Sequence, residues 1–291
     1  MDIGVVGIGA VGLRWAQAVH EQGMARLSLA DPMPHEAAGE WAREHDIPLS
    51  TDVAAIGDTD VLLICVPGFA QPDLIDVLVD GGGPSGAVVD FSTAPADAKF
   101  RASQRLGAPY LDAAITGAVA LSGVRTPLLV AGELAEPVLE LFGRLDTPFR
   151  HLEGAAAGDA VRVKLLRSVI TKGIEALAWE ALPAARHYGL LDQLFAALGD
   201  IDEKPFSALL RSMVQTHPAQ AVRREVEVRE AAAQLTAIGY PDALTRQVAD
   251  AYGRTAARID ADDRPNGDGV DDALDWADAS RVVIAPTEVG A

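Results

Sequence analysis

Residues Val5 to Gly12 read VVGIGAVG, and they decide the fold of this chain. Gly7, Gly9 and Gly12 fall in the pattern G-x-G-x-x-G, directly after the strand-like run IGVVG and directly before a helical pattern from Val11 to Gln22. Each glycine has a physical task in that setting: Gly7 makes the tight turn, Gly9 lets the backbone approach a pyrophosphate, and Gly12 lets helix and strand pack closely. The helix N-terminus, with Ile8, Ala10 and Val11 between the glycines, then presents free N–H groups and a positive dipole end to an anion.

Working outward, the run RLSLA ends at Asp31, 24 positions after Gly7. An acid near this spacing is placed to accept from ribose hydroxyls and to repel a 2′-phosphate. The following PMPHEAAGE holds no Lys or Arg to reverse that preference, so NAD is expected over NADP. VLLICV, AVVDF, PYLDA and PLLVAG continue the strand-like runs, and helical patterns such as His35 to His45 lie between. This alternation predicts βαβ units on a doubly wound parallel sheet. Val66 and Pro67 in CVPG, and Ser92 and Thr93 in DFSTAP, lie at strand C-terminal ends, where open α/β sheets bind ligands.

After about Gly154 the strand-like runs stop, and the pattern is helical with breaks at Gly189, Gly199 to Lys204, His217-Pro218 and Gly239 to Pro241. Two domains are expected: a Rossmann-type α/β domain over 1–153 and an all-α domain over 154–291, which carries substrate and dimer contacts. The polar segment Asp260 to Asp272 reads as a solvated loop, because Arg264 and Pro265 spoil the EF-hand spacing.

Composition excludes several classes of function. With 24 Lys and Arg against 42 Asp and Glu, the formal charge is −18, which disfavours nucleic acids and anionic membranes. Cys65 is the single cysteine, so neither a disulfide framework nor a cysteine zinc site is expected. The chain has no signal-like start and no uninterrupted apolar run of membrane-spanning length. The reading is a cytoplasmic protein.

Against that acidity, VRVKLLRSVITKG at 161–173 holds Arg162, Lys164, Arg167 and Lys172 and no acid. At about 100° per residue, Lys164, Arg167, Ser168, Thr171 and Lys172 share one helix face. Leu165, Leu166, Val169, Ile170 and Ile174 share the other, which is expected to bury against the helical domain.

Three segments in order, GIGAVG, DAAITGA at 112–118 and GDAVRVKLLRS at 158–168, resemble the β-hydroxyacid dehydrogenase superfamily, which includes 3-hydroxyisobutyrate and 6-phosphogluconate dehydrogenases. The resemblance implies an NAD(P)-dependent dehydrogenase or reductase with a 6-phosphogluconate-dehydrogenase-like C-terminal domain. It places the substrate motif on Thr116, Gly117 and Ala118, and the catalytic acid/base on Lys164. The usual Asn-Asn pair is replaced by Arg167 and Ser168, and the usual proline by Ala114.

Together these readings predict hydride exchange between a nicotinamide and a small anionic hydroxy acid or its carbonyl form. Arg167, Ser168 and Lys172 join the substrate site, and a homodimer forms through the helical domain. The alternatives are an imine reductase, an oxidative decarboxylase, or a non-catalytic dinucleotide-binding sensor.

Overall fold

A computed structural model describes residues 1–23, 26–56 and 58–279. Eight strands, β1 (Asp2–Val6), β2 (Arg26–Ala30), β3 (Leu49–Ser50), β4 (Val61–Ile64), β5 (Ala87–Asp90), β6 (Tyr110–Ile115), β7 (Leu128–Gly132) and β8 (Phe149–His151), form one sheet in the order β3-β2-β1-β4-β5-β6-β7-β8. Six helices interleave with them: α1 (Ala10–Glu21), α2 (Glu36–Glu44), α3 (Gln71–Asp80), α4 (Ala96–Arg105), α5 (Val119–Ser122) and α6 (Glu136–Arg144).

The central strands Val61–Ile64 and Ala87–Asp90 are buried at every position, as expected of strands covered on both faces. Trp15 of α1, only 1% exposed, sits 4.7 Å from Phe91 and 5.9 Å from Phe142 between ring centroids, so α1 and α6 share one core with the strands. The order reverses at β1, with β2 on one side and β4 on the other. This is the switch point, where loops leave the C-terminal edge in opposite directions and open a crevice.

Two features depart from the expected parallel sheet. Strand β7 pairs antiparallel with β6, because only residues 116–127 join them, a connection occupied by α5 and a short 3₁₀ turn rather than a crossover helix. Strands β3 and β8, of two and three residues, were not among the expected runs because they are too short to carry an apolar alternation.

Beyond the sheet come α7 (Asp159–His187), α8 (Leu191–Ala197), α9 (Gly199–Asp202), α10 (Phe206–Ala237), α11 (Ala243–Asp260) and α12 (Val270–Asp278). The helical character expected after Gly154 is therefore present through residue 279, and residues 280–291 lie outside those described. Compactness divides the chain at Val169 and Ile170, inside α7, whereas the expected domain boundary at 153/154 follows the last strand.

The break expected at His217-Pro218 does not occur, and α10 runs through it. A proline inside a helix removes one backbone hydrogen bond and strains the turn. Here Pro218 is buried, and His217 bonds Thr255 Oγ1 at 2.9 Å and stacks on Tyr252 of α11, so packing offsets the lost bond. The apolar side of α7 also differs from expectation: Leu165, Leu166, Val169, Ile170 and Ile174 remain exposed in the single chain. Among the described residues no helix is long and apolar enough to cross a membrane.

Candidate functional site

The glycine-rich turn is as tight as its sequence requires. Gly7 has φ +87°, a conformation costly for residues with a side chain, and a Cβ on Gly12 would lie 1.9 Å from the Gly7 carbonyl oxygen. A Cβ on Gly9 would meet nothing within 4 Å. The backbone there opens onto a cavity of about 810 Å³ lined by the turn, Asp31, Cys65 to Ala70, Ser92, Thr93, Ile115 and Lys164.

Asp31 fixes this turn. Its Oδ2 accepts the Ile8 N–H at 2.7 Å and its Oδ1 accepts the Met33 N–H at 2.9 Å, so one carboxylate ties the turn to the loop after β2. Each oxygen retains acceptor capacity for a second donor. The same edge carries Val66, Pro67, Ser92 and Thr93, all on the cavity wall. Ser92 is nearly buried: its N–H donates to Asp90 and its hydroxyl accepts from the Ala94 N–H at 3.4 Å. Cys65 is held as a thiol, since burial first and the neighbouring Asp90 second push its pKa far up.

Lys164 reaches the same cavity from the second turn of α7. Its ammonium donates to Thr93 Oγ1 at 3.1 Å. Its pKa lies below the ordinary lysine value, chiefly because the amine is desolvated, and secondarily because Lys99 adds a like charge; Asp112 opposes the shift. A lysine so placed gives up its proton more readily than a free one.

The other expected substrate residues are placed differently. Arg167 lines a smaller cavity of about 380 Å³ with Thr116, Pro127 and Arg150. The strand end divides the two: Ile115 lines the larger cavity and Thr116 the smaller. Thr116 donates both its N–H and its hydroxyl to the Pro127 carbonyl, and Gly117 packs beneath the Thr126 methyl. Ala118 caps α5. The Ser168 hydroxyl donates to the Lys164 carbonyl on its own helix, and Lys172 falls in the unit that begins at Ile170. Lys164 is thus gathered with the glycine turn, while Arg167 and Thr116 are gathered with each other.

Sequence reasoning missed the polar cluster beneath Lys164. Lys99, Asp90 and Asp112 are all fully buried. Lys99 Nζ donates to Asp112 Oδ1 at 2.7 Å and to the Asp90 carbonyl at 2.9 Å. Asp90 also accepts from the Tyr110 hydroxyl and from Gln71 Nε2. Tyr110 stays a phenol, its pKa raised by burial first and by Asp90 next. One signal was available: Lys99 shares the stripe of α4 with Ala102 and Leu106, where an apolar residue is the norm.

Known proteins are similar to this chain in sequence or in fold. A family model described as "Domain of unknown function (DUF1932)" matches residues 185–255. An uncharacterized 28.5 kDa protein in the 7S RNA 5′ region of Methanothermus fervidus is 24% identical over 79% of this chain and 89% of its own. The conserved protein MTH1747, reported as structurally similar to 3-hydroxyacid dehydrogenases, aligns at TM-score 0.59 and 23% identity, covering 89% of this chain and 99% of its own. A variant imine reductase from Myxococcus stipitatus, solved with NAD+, aligns at TM-score 0.70 and 17% identity, over 95% of this chain and 99% of its own. These likenesses agree with the superfamily resemblance carried by the motifs. The two solved structures share with this chain the fold of a Rossmann-type domain followed by a helical region.

Proposed function

We propose that the protein is an NAD(P)-dependent oxidoreductase that exchanges hydride between a nicotinamide and a small anionic hydroxy acid or its carbonyl form. The observation that carries this reading is Lys164 Nζ, held 3.1 Å from Thr93 on the wall of the cavity that begins at the glycine turn. The turn fits a dinucleotide: the open space at Gly9 would admit a pyrophosphate, and the remaining acceptor capacity of Asp31 would take ribose hydroxyls. When bound, the nicotinamide supplies the hydride acceptor or donor.

The chain's residues supply the rest. Ala10 and Val11 offer N–H groups at the helix start, Ile8 spends its own on Asp31 and so holds the turn in shape, and Val66, Pro67, Ser92 and Thr93 on the cavity wall would flank a bound nicotinamide. In the oxidation direction neutral Lys164 takes the hydroxyl proton, and in the reduction direction its ammonium returns a proton to the carbonyl oxygen. The lowered pKa of Lys164, caused chiefly by desolvation, makes its ammonium a readier proton donor and supports the acid/base role. Asp31 favours NAD by like-charge repulsion of a 2′-phosphate.

Arg167 and Arg150 line the smaller cavity with Thr116, and this pair of cations supports an anionic substrate. Gly117, Ala118 and Ser168 complete the proposed substrate region of the first unit. Residues 1–153 act as the dinucleotide domain and 154–291 as the substrate and dimer domain of a cytoplasmic homodimer. The exposed Ile170, Ile174 and Trp179 support pairing with a second copy.

The test is a panel of hydroxy acids, aldehydes and imines, followed by nicotinamide absorbance in both directions with NAD and NADP. Turnover of hydroxy acids supports the reading. Turnover of imines alone moves the protein to the reductase alternative, and bound NADH without any turnover moves it to a sensor.

A further inference from the structure

Behind Lys164 stands a buried ammonium that the proposed reaction does not use. Lys99 of α4 is 0% exposed, and its charge is met by Asp112 at 2.7 Å and by Asp90 Oδ1 at 3.6 Å. A buried lysine is costly, and a well-packed apolar residue would serve stability as well or better. Its partners give it a different use. Asp112 bonds Lys99 through Oδ1 and accepts through Oδ2 the N–H groups of Gly158 at 3.1 Å and Val161 at 3.0 Å. Those are orphan donors of the first turn of α7, so a carboxylate from β6 caps the helix that carries Lys164 three residues further on.

We propose that Lys99 is a positioning residue for Lys164: it locks the Asp112 carboxylate onto the first turn of α7, and it sets a fixed positive charge beneath the Lys164 amine. The cap aims the second turn of the helix at the cavity. The charge disfavours the ammonium form, while Asp112 favours it, so the balance of the two tunes the proton affinity of Lys164. From α4 and β6, Lys99 and Asp112 are the charged groups acting on this amine. On α7 itself Arg162 is already paired with Asp97 and Asp159, and Arg167 lines the smaller cavity. Asp31, Asp73 and His35 line the larger cavity with it. Asp90 and Tyr110 hold each other and Lys99 below.

This inference deepens the reading of Lys164 as the acid/base, but its test does not depend on turnover. The full-length protein is treated with an amine-acylating reagent across a pH series, and the labelling rate of Lys164 is read from its peptide by mass spectrometry. Lys99→Met removes the cation and leaves Asp112, so the midpoint for Lys164 should move up toward the ordinary lysine value. Asp112→Asn removes the opposing anion, and the midpoint should move down. Lys99→Arg keeps the charge and should leave the midpoint lowered as in the parent. Loosened packing alone would shift both charge-changing variants in one direction.

Opposite movements support the proposal, and any result in which they do not move oppositely overturns it. Should Lys99→Met fail to fold, Asp112→Asn decides: a lowered midpoint supports the proposal, and an unchanged or raised one ends it. Opposite movements together with full turnover in Lys164→Ala would leave the positioning intact and sink the catalytic reading instead.

Discussion

The two units of this chain bury different things. The first packs Trp15, Ile3, Leu62, Leu63, Leu111 and Phe142 at near-zero exposure around the sheet. In the second, the hydrophobic side chains buried among the described residues are alanines, such as Ala184, Ala221, Ala232, Ala249 and Ala256, together with Pro218. Several of its large apolar groups, Trp179, Phe195, Leu198, Phe206 and Met213 among them, are exposed. A helix pair that meets through alanines comes close together but withdraws little area from water, and stabilisation follows area. The first unit encloses a core of large side chains, whereas the second leaves large apolar side chains on its surface.

That contrast can be broken experimentally, and the largest effect is assigned to the first unit. Lys164→Ala should lower turnover by about 10²- to 10⁴-fold while dinucleotide binding, followed by fluorescence titration, stays near normal. An equal loss in binding would show that the residue holds the cofactor rather than the substrate oxygen. Next, Leu63→Ala should cost about 2–5 kcal/mol in denaturant unfolding, whatever the protein concentration. Trp179→Ala should instead act through assembly. Sedimentation should show dissociation toward the 30.5 kDa monomer, with a hot-spot loss of roughly 2 kcal/mol. A concentration-independent effect at Trp179 would erase the distinction between the units.

A smaller effect belongs to Asp31. Its replacement by Ala should shift the NAD/NADP preference toward NADP by roughly tenfold, the scale of one lost repulsive contact of about 1.4 kcal/mol. The smallest effect is the pH dependence of Lys164. Its folded pKa is depressed, so the folded state binds fewer protons than the unfolded chain in the interval just below the ordinary lysine value. Stability should therefore rise with pH through that interval, and the advantage in melting temperature of Lys164→Met over the parent should shrink as pH is raised. A gap independent of pH would place no proton linkage at this amine.

Much of this molecule was legible because a few residues leave no alternative. The turn at Gly7 and Gly12 admits no side chain, VLLI is apolar throughout and AVV is apolar up to Asp90, so strand, turn and helix could be placed from the sequence. Lys164 could be singled out because a cationic stripe without acids is conspicuous in an acidic chain. What was not legible depends on distance in space. Asp112 lies 13 positions from Lys99 and 46 from Gly158, and no local pattern announces that one carboxylate joins them. The separation of Arg167 from Lys164 into two cavities was hidden for a similar reason. A helical wheel places both on one face but does not reveal that the end of β6 passes between. The continuity of α10 across Pro218 rests on Thr255 and Tyr252, residues of another helix.

The tryptophans happen to sort by unit, which gives the molecule two built-in optical reporters. Trp15, 1% exposed and close to Phe91, lies in an apolar site and should emit at the blue end of indole fluorescence, whereas Trp179, 83% exposed in the single chain, should emit at the red end in the monomer and move toward the blue when pairing covers it. Trp41 shares the first unit with Trp15, and Trp276, stacked under the Arg258 guanidinium, shares the second with Trp179. Collisional quenching by iodide at Trp179 therefore reads the monomer and should fade as copies pair, while the unquenched blue component of Trp15 reads the sheet. Each half of the chain carries its own light.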